Sequence, residues 1–330
     1  MSGTTILASA DGPVRQTGAM RADLESVHPE LRRTARFIRP QNKPIRADKL
    51  RRGGLGEKLT TLLVAGRGNG VEVLRVNDDV TVRYLRAREG SATGRAVLWI
   101  HGGGYISGFA ALSEKTCRGL CTRLEATVAS VEYRLAPEHP FPTPLEDCYA
   151  ALLWLARQPG VDSRTILVGG ESAGGGLAAQ LAQIARDRGE ITLAGQILVY
   201  PMLDDRTVLR ADLNGPYRLW PNVANHFGWR SYTGHEPGSA DVPKYAAAAR
   251  LDDLSGLAPA WIGVGTEDLF HDEDVEYAKR LEAAGVRTKL EVVPGAFHAF
   301  DMLRRGLPVS RAFFDSQVAF AESCLTAVPA

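Results

Sequence analysis

Short apolar segments alternate with helical segments along the chain from about residue 56, and this alternation constrains the fold most strongly. The apolar segments are rich in β-branched and aromatic residues, which is typical of strands. Strands that alternate with helices predict a mostly parallel sheet covered by helices on both faces. The eight predicted strands cover 71–74, 80–85, 95–100, 127–133, 165–168, 195–200, 260–264 and 288–293. The predicted helices cover 111–124, 144–157, 174–188, 272–284 and 308–324.

Two stretches fall outside this alternation. Residues 1–55 have a helical, arginine-rich pattern that prolines interrupt, and residues 201–258 contain many aromatic residues but no clear strand. A long stretch of this kind in an α/β domain is usually functional. We expect 1–55 and 201–258 to form a helical cap over a core made of 56–200 and 259–330. The alternative is that the aromatic residues only close a peripheral core.

Composition excludes several classes of protein. The 330-residue chain is 45% hydrophobic and 23% charged, and its formal net charge is +1. A charge so close to neutral gives no support for nucleic acid or an anionic membrane as a partner. No apolar run approaches the length that spans a bilayer, and residues 1–20 lack a secretory signal pattern. We therefore expect a cytoplasmic protein.

The four cysteines form neither a disulfide framework nor a CxxC metal pattern. Cys117 and Cys121 lie one helical turn apart, which is compatible with a redox pair. The favoured interpretation is that they are two small apolar residues on one helix face.

The pentapeptide Gly170-Glu171-Ser172-Ala173-Gly174 lies between a predicted strand and a predicted helix. Glycines without Cβ atoms allow the sharp turn that leaves a serine hydroxyl exposed above a sheet. The pentapeptide alone is a weak signal, but this position predicts that Ser172 is a nucleophile.

A second motif, His101-Gly102-Gly103-Gly104-Tyr105, follows a buried strand. Amides fixed around a developing oxyanion stabilise it, so Gly103, Gly104 and Ala173 are the candidate donors. A phosphate-binding loop is the rival interpretation, but the residues that follow a P-loop or a dinucleotide-binding glycine motif are missing. His101 resembles a base, although a hydrogen bond to the loop backbone is the favoured role.

A serine nucleophile needs a histidine base that is oriented by a carboxylate. Asp268 and His298 each follow a later predicted strand, in the chain order serine, acid, histidine that is typical of this architecture. Glu267 is the main competitor for the acid. The run His271-Asp-Glu-Asp is compatible with a metal site, but acidic residues also stabilise the first turn of a helix, so we expect no metal there. We expect no cofactor either.

These motifs resemble those of the hormone-sensitive lipase family of esterases, the bacterial family IV α/β-hydrolases. The resemblance covers about residues 70–320 and implies an α/β-hydrolase fold with an eight-stranded, mostly parallel sheet flanked by helices and covered by a helical cap. It implies a triad of Ser172, Asp268 and His298, with an oxyanion hole of Gly103, Gly104 and Ala173. The motifs that carry it are His101-Gly-Gly-Gly, Tyr133-Arg-Leu-Ala-Pro-Glu-His-Pro-Phe-Pro, Gly170-Glu-Ser-Ala-Gly, Asp268-Leu with Asp272-Glu273, and Gly295-Ala-Phe-His298. The chain departs from the family pattern at two places, at Glu171 and in the sequence after Asp268. Neither departure removes a member of the implied triad.

The expected function is hydrolysis of short- to medium-chain acyl esters by a serine carboxylesterase. Amide hydrolysis or acyl transfer on the same triad is one alternative, and a ligand-binding receptor on this scaffold is another. A small acyl ester is the expected partner, and a homodimer is compatible with an exposed edge strand. The aromatic residues expected at the substrate pocket are Tyr105, Phe109, Trp220, Phe227 and Phe300.

Overall fold

A computed structural model describes residues 24–41, 70–88 and 93–327 of the chain. Its centre is one sheet, whose strands are β1 (Val71–Arg75), β2 (Thr81–Leu85), β3 (Ala96–Ile100), β4 (Thr127–Glu132), β5 (Ile166–Glu171), β6 (Gly195–Val199), β7 (Ala260–Gly265) and β8 (Thr288–Val293). The strand order is β1-β2-β4-β3-β5-β6-β7-β8. The β1–β2 and β2–β4 pairs are antiparallel, and every other pair is parallel.

Helices cover both faces of the sheet. They are α1 (Arg32–Ala35), α2 (Glu114–Leu124), α3 (Thr143–Ala156), α4 (Ala173–Arg188), α5 (Asn222–Thr233), α6 (His271–Ala283), α7 (Phe300–Leu303) and α8 (Pro308–Thr326). The described residues also contain six 3-10 segments, at Pro29–Leu31, Ala110–Ser113, Ser163–Thr165, Asp205–Leu209, Ala211–Leu213 and Ala248–Arg250. None of the helices in the described residues is long and apolar enough to cross a membrane.

The core consists of two apolar layers, one on each face of the sheet. Leu98 and Ile100 of β3 belong to a cluster that includes side chains of α3, α4 and α6. Val97 and Trp99, which alternate with them, belong to a second cluster that includes side chains of α2 and α8. This period of two is the natural consequence of a strand that is buried on both faces.

The carboxyl ends of the parallel strands bring distant parts of the sequence to one edge of the sheet. The glycine loop follows β3, Ser172 follows β5, Asp268 follows β7, and His298 follows β8. The topology therefore places the motifs close together, although long stretches of sequence separate them.

The predicted eight-stranded, mostly parallel sheet is confirmed, and all the predicted strands and helices are present with ends that differ by at most three residues. Helix α5 was not predicted, because its aromatic residues follow no clear period within 201–258. Most of 1–55 lies outside the described residues. The amide of Gln41 donates to Tyr217 O at 3.0 Å, so the N-terminal segment contacts the 201–258 segment. The division into core and cap stays a prediction.

Candidate active site

Ser172 occupies a strained turn between β5 and α4. Its φ of 58° and ψ of −123° lie outside the regions that non-glycine residues favour. A Cβ on Gly170 would lie 2.5 Å from Ile100 O, and one on Gly174 would lie 2.1 Å from the same oxygen. Only glycine fits at these two positions, so the spacing of the pentapeptide has a steric cause.

Ser172, His298 and Asp268 form one hydrogen-bonded chain. Ser172 Oγ lies 3.0 Å from His298 Nε2, and His298 Nδ1 lies 2.8 Å from Asp268 Oδ2. A carboxylate can only accept, so the Nδ1 proton faces Asp268 and Nε2 is left to accept the serine proton. The arrangement has the geometry that activates a serine hydroxyl.

Asp268 and His298 are held in place from several sides. The amide of Phe270 donates to Asp268 Oδ1 at 3.1 Å. The rings of Tyr200 and Phe270 pack edge-on to the His298 imidazole, with centroids 4.8 Å and 5.4 Å away. Glu267, the competing acid, is half-buried, and its side chain makes no hydrogen bond within the described residues. The structure thus brings Asp268, and not Glu267, to the histidine.

The glycine loop lies beside Ser172 in a conformation that favours glycine. Gly103 has φ of 127° and Gly104 has φ of 62°. Within the described chain, the amides of both residues donate to no carbonyl or side chain. Ala173 is the first residue of α4, so its amide also has no acceptor within the helix. These amides are available to a ligand oxygen.

His101 supports the loop. Its Nδ1 donates to Gly102 O at 2.8 Å, and its ring stacks on Tyr133 with centroids 4.3 Å apart. Burial lowers the pKa of His101 to about 4, so the imidazole is neutral near pH 7. The favoured expectation, a histidine bonded to the loop backbone, is confirmed.

Glu171 is buried directly before the nucleophile. Its carboxylate accepts a hydrogen bond from Trp99 Nε1 at 2.5 Å and another from the Ser113 hydroxyl. The amide of Gly102 also hydrogen-bonds to it. Burial is the largest influence and raises the pKa of Glu171 to about 7, although these hydrogen bonds act in the opposite direction. Glu171 therefore connects β3, the glycine loop and the serine turn.

A pocket of about 260 Å³ opens over Ser172. Among the described residues, its wall is formed by Gly102, Gly103, Gly104, Ser107, Gly108, Leu112, Glu171, Ser172, Tyr200, Leu219, Trp220, His298, Ala299 and Met302. Most of the non-glycine side chains are apolar, and Ser172 with His298 provides the polar centre. A small molecule with an apolar group and one polarised carbonyl suits such a wall.

The aromatic residues expected at the pocket are mostly elsewhere, which corrects the expectation. Trp220 lines the pocket as expected, but Phe109 and Phe227 are absent from its wall. Tyr105 is fully buried, and its ring stacks on Tyr232 with centroids 4.0 Å apart. Phe300 lies in the core against Phe313, with centroids 5.0 Å apart.

Sequence reasoning missed the pocket residues Tyr200 and Leu219, both of which have positive φ, 36° and 67°. Tyr200 directly follows β6, so the rule that strand ends meet at one edge could have found it. Leu219 carries no such signal, because it lies between elements in the 201–258 segment. Met302 follows His298 closely in sequence, and that closeness was the available signal.

The sequence offered two further candidates, a metal site near His271 and a cysteine pair. The described part of the chain contains no group of three or more His, Cys, Asp or Glu side chains that could hold a metal ion. His271 Nδ1 lies 2.7 Å from Asp272 Oδ1 at the start of α6. All four cysteines are free, and Cys117 is buried in the core.

The proteins that this chain resembles in sequence include a hydrolase family and named esterases. A family model described as alpha/beta hydrolase fold matches residues 97–302. Esterase LipI of Mycobacterium tuberculosis is 38% identical over 210 residues, which cover 62% of this chain and 65% of LipI. Carboxylesterase NlhH of the same organism is 36% identical over 221 residues, which cover 62% of this chain and 66% of NlhH. The chain thus spans just under two thirds of the length of these curated relatives.

Among solved structures, Bacterial Heroin Esterase superimposes with a TM-score of 0.80 at 33% sequence identity. The superposition covers 92% of this chain and 99% of that one, so the similarity extends well beyond the aligned motifs.

Proposed function

The chain belongs to the alpha/beta hydrolase fold family and to its hormone-sensitive lipase-like esterases, and from this premise we propose that it is a serine carboxylesterase. Its substrates are short- to medium-chain acyl esters, and its reaction passes through an acyl-enzyme. The esterase and the carboxylesterase among its relatives support the class of reaction.

One observation carries the proposal: the hydrogen-bonded chain from Ser172 through His298 to Asp268 ends inside an apolar pocket, beside unoccupied amides. A structural role does not require a serine at φ of 58° with its hydroxyl on a buried imidazole. Such strain is typical of a site where the turn serves chemistry.

In the proposed mechanism, Ser172 Oγ attacks the acyl carbonyl carbon while His298 Nε2 takes the hydroxyl proton. Asp268 holds the imidazole in the required tautomer and stabilises its positive charge. His298 then gives the proton to the departing alcohol, and the acyl group remains on Ser172. Water, which loses a proton to the same histidine, attacks this ester, and the acid is released as the serine regains its proton.

The oxyanion formed in both steps is placed against the amides of Gly103, Gly104 and Ala173. Each well-placed donor of this kind contributes about 3–4 kcal/mol to the transition state. The apolar residues Leu112, Leu219 and Met302 are proposed to receive the acyl or the alcohol group, because they form the wall of the pocket.

The test is Ser172→Ala, with Ser255→Ala as a matched control on an exposed turn that does not line the pocket. Turnover of p-nitrophenyl butyrate and labelling by a fluorophosphonate probe are measured for both. Ser172→Ala is expected to lose both signals, and Ser255→Ala to keep both. Folded wild-type protein that neither turns over the ester nor is labelled would indicate a binding protein instead.

Ester preference is tested separately with p-nitrophenyl acetate and p-nitroacetanilide, which share an acyl group. We expect a far higher kcat/KM for the ester, since an anilide is the less activated acyl donor. A higher value for the anilide would assign amide hydrolysis, and ester products formed with added methanol would assign acyl transfer. The cytoplasmic location and the homodimer stay predictions.

A further inference from the structure

A second cavity, of about 420 Å³, lies between α2, α7 and α8. It is separate from the pocket over Ser172, and the short helix α7 lies between the two. Asp301 of α7 lines the second cavity, while the next residue, Met302, lines the first. Nothing in the proposed ester reaction uses this second cavity.

The cavity carries an excess of positive charge. Arg123 and Asp315 on its wall form an ion pair at 2.7 Å. Lys115, Arg305 and Arg311 also line it, and none of them forms an ion pair with a described residue. The guanidinium of Arg305 is held by a 2.7 Å hydrogen bond from Nη1 to Thr116 Oγ1. Among the described residues of the wall, Asp301 is the one carboxylate outside that ion pair, and it faces three cations, so the cavity favours an anion.

A buried hydroxyl provides independent support. Ser310, on the first turn of α8, lines the cavity and is 2% exposed. Its Oγ has no hydrogen-bond partner in the described chain. A buried hydroxyl without a partner costs free energy, and a ligand oxygen in the cavity would satisfy it.

The remaining wall is apolar. Phe314, one turn further along α8, packs so closely on α2 that a Cβ on Gly119 would lie 2.7 Å from its ring. This contact fixes the ring at the side of the cavity. An inorganic anion would leave this surface uncovered, whereas an anion with an apolar group would cover it.

We propose that this cavity binds a small organic carboxylate, with its charged end at Arg305, Arg311 and the Ser310 hydroxyl and its apolar group against Phe314. The choice of a carboxylate over other organic anions rests on the proposed function, because ester hydrolysis releases carboxylates. The cavity would then be a second site for the acid that the first site produces.

The position of Asp301 connects such a ligand to the first site. Tyr200 donates its hydroxyl proton to Asp301 Oδ1 at 2.8 Å, and the Tyr200 ring packs on His298. A carboxylate that binds Arg305 lies next to Asp301. Its negative charge would interact electrostatically with the Asp301 carboxyl group, which accepts the hydrogen bond from Tyr200.

The test is calorimetric titration of the full chain with benzoate, benzyl alcohol and inorganic phosphate. Benzoate is expected to bind to the wild type, while benzyl alcohol and phosphate bind more weakly. Arg305→Gln and Arg311→Gln are each expected to weaken benzoate binding about tenfold, since one charge-assisted hydrogen bond is lost. Arg304→Gln changes the neighbouring exposed arginine, which is not on the cavity wall, and should leave the affinity unchanged.

Equal benzoate affinity in Arg304→Gln, Arg305→Gln and Arg311→Gln would overturn the proposal, and so would phosphate binding as tight as that of benzoate. Arg311 is exposed, so Arg311→Gln keeps the test valid if Arg305→Gln does not fold. Ester turnover is measured on the same preparations. Turnover without benzoate binding would reject only the proposed second site. Benzoate binding without turnover would reject only the esterase proposal.

Discussion

The indole of Trp99 donates a 2.5 Å hydrogen bond to the carboxylate of Glu171, although the two residues are 72 positions apart in the sequence. The bond ties the centre of β3 to the residue directly before the serine turn. Both partners are buried, so water does not solvate the carboxylate form of Glu171. The burial of Glu171 has a consequence for the pH dependence of stability.

The buried carboxyl of Glu171 predicts that stability falls over a defined pH range. Burial raises its pKa to about 7 from a value of 4.5 for an exposed group. Between these values the unfolded chain has released the proton and the folded chain still holds it. The free energy of unfolding therefore falls as pH rises through this range, by about 3 kcal/mol from this group, and is flat on either side.

Glu171→Gln should remove this contribution. Relative to the wild type, the free energy of unfolding of the variant is expected to rise across the same pH range. Urea unfolding at several pH values between about 4 and 8 measures it. Glu282→Gln, on an exposed position of α6, is the control and should parallel the wild type. Parallel curves for all three proteins would show that Glu171 does not hold a proton in the folded state.

The left-handed conformation of Gly104 predicts a second result. A Cβ at this position would lie 2.0 Å from Trp220 Cη2, so Gly104→Ala must displace either the ring or the loop that carries the proposed oxyanion amides. We expect kcat for p-nitrophenyl butyrate to fall about 10²- to 10³-fold, as when one oxyanion donor is lost.

Gly285→Ala is the matched control for Gly104→Ala. Gly285 has a similar φ of 79°, but a Cβ there would meet nothing within 4 Å. It should cost about 1–2 kcal/mol of stability through backbone strain and leave kcat unchanged. Equal kcat values for the two variants would mean that the Gly104 amide is not part of the oxyanion hole.

The sequence predicted the sheet well, because the pattern of apolar residues within each strand indicates whether that strand is buried. β3 is one continuous apolar run, and its burial follows from that pattern without knowledge of its neighbours. The positions of Ser172, Asp268 and His298 were also accessible, since the carboxyl ends of parallel strands meet at one edge. Local chemistry and a general rule of topology were sufficient for these features.

The pocket wall could not be predicted in this way, because it depends on contacts between distant residues. The direction of Phe300 is decided by its contact with Phe313, and nothing in the sequence near Phe300 reports that contact. Likewise, the pairing of Tyr200 with Asp301 joins residues that are 101 positions apart. The segment 201–258 has few periodic elements, so its contribution to the pocket was not predictable in detail.

The position of Trp220 leads to a prediction about the acyl chains that the proposed esterase prefers. Its ring packs over Gly104, and a Cβ on Gly228 would lie 3.3 Å from the same ring, so the indole fills the space on this side of the pocket. Trp220→Ala should open that space and favour longer acyl groups. Each additional buried methylene contributes about 0.8 kcal/mol, which is about fourfold in kcat/KM.

The measurement is kcat/KM for p-nitrophenyl esters from acetate to decanoate. Phe227→Ala is the control, because it removes another aromatic ring of the same segment that does not line the pocket. Only Trp220→Ala should move the optimum to longer chains. A shift of the same size in Phe227→Ala would place the acyl group elsewhere.

The last prediction separates the two neighbouring acids at the end of β7. Asp268→Asn leaves the shape of the side chain intact, but an amide no longer holds the His298 proton on Nδ1. We expect kcat to fall about 10⁴-fold, the loss that follows when a triad histidine is left in the wrong tautomer.

Glu267→Gln changes a half-buried side chain that makes no hydrogen bond with the described residues, so its kcat should stay within about twofold of the wild type. Both variants are compared on p-nitrophenyl butyrate, with circular dichroism to verify the fold. A larger loss in Glu267→Gln than in Asp268→Asn would assign the acid to Glu267, and it would require the loop after β7 to rearrange when substrate binds.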